Sequence, residues 1–128
     1  MPAMRELARV GAALLLALLC SLPAAAACRL RVRERIVLFG LGADPGVFLW
    51  DSRFRLRAYH AASFDEAQGM LPRALLVRAG TRAIVIWCLP RFVQPRYGMT
   101  LDDAVEVRIL TGPLHGQTGW VLGSDARL

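Results

Sequence analysis

The stretch VEVRILTGPLHGQTGWV, residues 105–121, decides how the rest of the chain is read. Val105, Val107 and Ile109 alternate with Glu106 and Arg108, the two-residue period of a strand with one face turned inward. Gly112-Pro113 and Gly116 break that run, and Gly119-Trp120-Val121 restarts an apolar strand, so the segment reads as a β-hairpin. Gly112 and Gly119 are expected to take the positive φ that a tight hairpin turn needs. Trp120 is expected to cover one end of a small β-core, where a large apolar ring is required. Beyond it, GSDAR (123–127) fits a single helical turn.

Working upstream, TRAIVIWC (81–88) is an apolar run rich in β-branched residues, as expected of a central strand, with Trp87 in the core. ALLVR (74–78) precedes it across Ala79-Gly80 and reads as another strand. Residues 30–39, LRVRERIVLF, alternate, with Leu30, Val32, Ile36 and Leu38 inward and Arg31, Arg33 and Arg35 outward. The Gly- and Pro-bearing GLGADPG (40–46) is a loop. After Ser52, alternation predicts a further strand with Phe54, Leu56 and Ala58 on one side and Arg53, Arg55 and Arg57 on the other. Ser63, with Glu66 three residues on, predicts a capped helix over 63–71 that Pro72 ends. Residues 89–103 hold two prolines and a glycine and are expected to form a long loop.

The N-terminus is of a different kind. Arg5 and Arg9 precede an apolar run from Val10 to Cys20, too short to span a bilayer, and Ala24 to Ala27 supply small residues for cleavage. Residues 1–27 therefore read as a cleaved export signal and residues 28–128 as one domain. Export implies a periplasmic or secreted location, makes disulfides permissible and makes nucleic acid an unexpected partner. Of three cysteines, Cys20 falls in the signal, which leaves Cys28 and Cys88 as a disulfide candidate. The string Ala25-Ala26-Ala27-Cys28 also resembles a lipoprotein signal, in which a lipidated Cys28 would anchor the chain to a membrane; that sulfur could not then bond Cys88.

Every one of the 16 basic residues is an arginine, against 10 acids, for a net charge of +6. This balance suggests anionic contacts, and it also lies within the range that keeps a small domain soluble. If the strands bearing Arg31, Arg33, Arg35 and Arg53, Arg55, Arg57 pair, the six guanidinium groups share one sheet face. Such a face would suit an anionic polymer or lipid headgroups; an ordinary solvated face is the plain alternative.

The hairpin residues Val105, Val107, Ile109, Gly112, Pro113, Gly116, Gly119, Trp120 and Val121, with Ser124-Asp125-Ala126 after them, resemble the last hairpin and 3₁₀ turn of bacterial SH3-like domains. RAGTRAIVI (78–86) resembles that family's strand opening on Gly-Thr. The resemblance covers residues 78–128. It implies an all-β fold, a small partly open SH3-like barrel with one short inserted helix, and it implies no particular function, because such barrels host many.

Aromatic residues Trp50, Tyr59, Tyr97 and Trp120 are candidates for a peptide or glycan groove, with packing as the alternative reading, above all for Trp120. Cys88, His60, His115, Asp102 and Asp103 are the only ingredients for thiol catalysis, and their spacing matches no hydrolase pattern. No catalytic residue, cofactor or metal site is expected. The reading is an exported, non-catalytic module of the cell envelope that binds a protein or cell-wall ligand. The binding-surface candidates are Arg53, Arg55, Arg57, Tyr97 and Trp120. The alternatives are a lipoprotein anchored through Cys28 with its arginines near anionic lipid, and a small thiol enzyme using Cys88.

Overall fold

A computed structural model describes residues 27–40, 42 and 44–128. The export-signal reading of residues 1–27 thus falls outside the described residues, except at Ala27. No helix among the described residues is long and apolar enough to cross a membrane.

The protein is mostly β. Among the described residues seven strands occur in chain order: β1 (Arg35–Leu38), β2 (Gly46–Leu49), β3 (Leu75–Arg78), β4 (Arg82–Val93), β5 (Asp102–Ile109), β6 (Thr118–Leu122) and β7 (Ala126–Arg127). Two helices, α1 (Arg53–Ala61) and α2 (Phe64–Met70), lie between β2 and β3. Single 3₁₀ turns follow at Leu71–Arg73 and Gly123–Asp125. The strands form an antiparallel five-stranded sheet in the order β6-β5-β4-β1-β7 and a two-stranded sheet of β2 and β3. A bridge between Trp50 and Trp120 links the two sheets, and among the described residues no closed barrel forms.

The 105–121 hairpin forms as its alternation demands. Val105, Val107 and Ile109 are fully buried, and β5 pairs with β6 from Ala104–Leu122 to Arg108–Thr118. The turn departs from expectation at its glycines. Gly112 and Gly116 take positive φ, 83° and 88°, while Gly119 does not. Gly119 instead sits where a side chain would collide: an added Cβ would lie 2.7 Å from the Trp50 carbonyl oxygen and against the Leu49 side chain. Its role is close approach between β6 and the end of β2.

Four sequence readings give way to the structure. The segment after Ser52 is the helix α1, not a strand. The Ser52 side chain accepts a hydrogen bond from the Arg55 backbone N–H at 3.1 Å, which caps the helix and commits the next residues to helical geometry. Leu56 is then the one residue of α1 that buries completely. The strand read over 30–39 is cut to four residues. Glu34 accepts the Arg31 N–H at 3.0 Å, and Arg33 turns through φ 75°, which leaves Val32 49% exposed rather than inward. The loop read over 89–103 is shorter, because β4 runs on through Pro90 to Val93. Finally, Trp87 is not core but 55% exposed. The register slips between Val85–Val107 and Trp87–Glu106, so Ile86 is an extra residue that reverses the alternation. The capped helix at 63–71 forms as α2, with Ser63 accepting the Glu66 N–H.

Two apolar clusters hold these parts together. Ile36, Leu38, Val85, Val105, Val107, Ile109 and Val121 from the large sheet pack against Val47, Leu49 and Val77 of the small one. On the other face of the large sheet, Ala104, Trp120, Leu122 and Val93 take Leu56 of α1 and Trp50. Cys28 and Cys88 are joined as a disulfide, with Cα atoms 6.3 Å apart across 60 residues, which staples the segment before β1 to mid-β4.

Candidate functional site

The second cluster does not close over completely. Between the two-stranded sheet of β2 and β3, α1, the loop before β5 and the 3₁₀ turn after β6 lies a groove of about 700 Å³. That is within the range of ligand-binding clefts.

Its floor is aromatic. Trp50 is buried among Leu56, Trp120 and Leu122, and its backbone N–H and C=O both pair with Trp120, at 3.0 and 2.7 Å. The Tyr59 ring packs at a tilt of 36° against Trp50 with centroids 4.9 Å apart and meets Phe48 edge-on at 6.3 Å. Tyr59 reaches this place because it lies three residues after Leu56 on α1, on the same helix face.

One wall is the loop over residues 94–101, and α1 holds it. The Arg96 guanidinium donates to the carbonyls of Tyr59 and Ala62 at the C-terminal end of α1, the latter at 2.8 Å. A cation is favoured there because the last helical carbonyls are unpaired and carry partial negative charge. The Arg96 backbone N–H also donates to Nδ1 of His60 at 3.3 Å, and Gln94 Nε2 closes the loop on the Gly98 carbonyl at 2.7 Å. Burial, and then the Arg96 charge, push the His60 pKa down, although Asp102 pulls it back upward. His60 is thus a neutral acceptor that anchors a loop. The opposite wall is the small sheet, with Leu76 open to solvent.

One end of the groove is acidic, where Asp44, Asp102, Ser124 and Asp125 meet. Asp102 accepts hydrogen bonds from the Ser124 hydroxyl at 2.7 Å, the Ser124 N–H at 3.2 Å and the Asp103 N–H at 2.8 Å. Asp125 sits beside this charge in a largely buried place. Burial, reinforced by Asp102 and Asp44 and opposed by Arg127, raises its pKa from 3.8 to about 7. Asp125 can therefore offer a carboxylic O–H or a carboxylate near neutrality. A perturbed carboxyl lining a cleft is a feature of functional sites.

The candidates read from the sequence distribute unevenly over this geometry. Tyr97 stands on the rim, 85% exposed, in the wall that Arg96 anchors. Trp120 is 6% exposed, so its ring packs and offers almost no surface. Arg53, Arg55 and Arg57 do not line a sheet face, because at a helical period Arg55 points away from the other two. Arg55 pairs with Asp51 at 2.9 Å, while Arg53 and Arg57 lie over the Phe54 and Phe92 rings at 4.7 and 4.5 Å. The six-arginine face therefore does not form, and Arg33 is taken out of it as well by its turn. Cys88 is bonded to Cys28 and carries no thiolate in this state. The Asp103 carboxylate beside the pair accepts the backbone N–H groups of Arg29 and Arg91, at 3.3 and 3.1 Å. Asp125, Asp44, Phe48 and Leu76 were not among the sequence candidates. Only their convergence in space marks them, since they come from three separate segments.

Comparison with protein-family models, with curated proteins and with solved structures finds no significant match to this chain.

Proposed function

We propose that this chain is an exported, non-catalytic binding module of the cell envelope, and that the groove holds a segment of a protein or cell-wall peptide. The observation that carries the reading is the build of the groove: an aromatic floor, a loop wall fixed by Arg96, and an acidic end at Asp102 and Asp125. Rings bind the apolar part of an extended ligand, and the carboxyl groups accept hydrogen bonds from its amide or ammonium groups. The Cys28–Cys88 pair fits an oxidising compartment and disfavours lipidation of Cys28. An SH3-like identity is supported by the order of elements from β5 onward: an alternating strand, a Gly-Pro turn, the Gly-Trp-Val strand and then a 3₁₀ turn.

A photo-reactive phenylalanine analogue in place of Tyr97, expressed in cells, tests this. The expected result is an adduct with an envelope protein or with peptidoglycan, reduced several-fold when Leu76 across the groove is replaced by Ser. No adduct from position 97, or one indifferent to Leu76→Ser, overturns the assignment of the groove.

A further inference from the structure

The large sheet has a second surface that α1 leaves uncovered. Directly opposed residues of neighbouring strands point to the same face, so the register identifies its occupants. One row is Arg127 of β7, Val37 of β1 and Arg82 of β4; the next is Arg35 of β1, Ile84 of β4, Arg108 of β5 and Thr118 of β6. A third row starts with Trp87 and Glu106 and ends at Trp120, where α1 takes over. Arg35, Arg82, Arg108 and Arg127 are all exposed, and among the described residues none of them is in an ion pair. Strands about 4.8 Å apart and same-face residues about 7 Å apart bring the four arginines onto one small area of this face. Glu106 is the one acid in these rows. Trp87, 55% exposed, borders the arginines, and Phe39 lies under Arg127 at 5.3 Å. None of the four arginines, nor Trp87, lines the groove.

We propose that this face docks on an anionic phospholipid bilayer. Guanidinium groups take phosphate oxygens in pairs. Tryptophan settles at the level of the headgroups, with its ring in the apolar boundary and its N–H in the wet layer. The occupant follows from charge complementarity together with shape. A strand of polyanion calls for a groove that tracks its backbone, whereas these arginines lie on one open sheet face outside the groove. The slip at Ile86, which costs the core a tryptophan, places that ring beside the arginines. The inference concerns a different surface from the groove and stands or falls apart from it.

The test is sedimentation of the purified protein with vesicles of phosphatidylglycerol and phosphatidylcholine, against vesicles of phosphatidylcholine alone. Retention is expected on the anionic vesicles only, and is expected to weaken as salt is raised. Replacing Arg35, Arg82, Arg108 and Arg127 together by Gln is expected to weaken retention on the order of several-hundred-fold. As a measurement on the unaltered protein, lipids brominated near the headgroup are expected to quench tryptophan emission. Trp87 carries that signal, since Trp50 and Trp120 are buried. Equal retention on neutral vesicles, unchanged retention of the four-Gln variant, or no quenching overturns the proposal. So does binding to heparin without binding to vesicles, which would make the partner a polyanionic chain.

Discussion

Asp125 shows how far a single residue departs from its sequence. In GSDAR it is one more acid in a polar turn; in the fold it is a carboxyl buried at the end of an apolar groove near the charge of Asp102, its pKa lifted to about 7. Between about pH 4 and pH 7 the folded protein keeps a proton there that the unfolded chain releases. Stability from this group therefore falls as pH rises through that window, and the penalty is constant above it. Asp125→Asn removes the titration. The variant is expected to gain on the wild type by a few kcal/mol between pH 4 and pH 7, read as the difference in denaturant midpoints at each pH. A difference that stays flat across the window would rule out the burial argument. Taking the variant against the wild type also cancels His60, whose lowered pKa works in the opposite sense: it withholds stability as pH falls below 6.5. Trp87 makes the same point about packing. Its neighbours AIVI announce a core strand, and one inserted residue turns the ring to solvent.

At the scale of elements, strands whose two faces meet different surroundings were legible and the segment around Arg53 was not. Val105, Val107 and Ile109 alternate with charged residues and bury as expected. In Arg53-Phe54-Arg55-Leu56-Arg57 the same alternation is accidental. Leu56 is buried and Phe54 is not, and the signal that separates helix from strand there is the cap at Ser52, not the period. Ser63 carries the same cap signal at α2, where no competing alternation obscured it. Gly119 marks a contact between elements. Its lack of a side chain lets β6 lie against Leu49 and Trp50, so Gly119→Ala must push apart the backbone bridge that also seats the floor of the groove. A loss of about 1–3 kcal/mol in chemical unfolding is expected. An unchanged midpoint would show that β2 gives way freely.

For the whole molecule, the decisive link is the one between Cys28 and Cys88. It closes 60 residues, including β1, the small sheet and both helices, and the entropy withheld from the unfolded chain amounts to about 4 kcal/mol. The variant with both cysteines changed to Ser is expected to unfold at correspondingly lower denaturant, with the same effect from reduction of the wild type; a loss below about 1 kcal/mol would mean that the segment before β1 is held by its other contacts. This pairing was readable because two cysteines outside the apolar N-terminal stretch leave a single partner choice. The hairpin at 105–121, the capped helix at α2 and the 3₁₀ turn were readable for a similar reason, since each is specified by residues within a few positions of one another. The groove and the arginine face were not. Phe48, Tyr59, Arg96, Asp102 and Asp125 lie on separate segments, and what unites them is the docking of α1 on the sheet. Likewise Arg35, Arg82, Arg108 and Arg127 share a face only through strand register, with one bulge setting which side Trp87 takes. Sequence alone determined the 105–121 hairpin and the capped helix α2, and left Cys88 as the one cysteine that Cys28 could bond, because short-range hydrogen bonding and a count of two decide those. Tertiary structure decided both surfaces, because each depends on contacts between residues far apart in the chain and on a parity that a single inserted residue reverses.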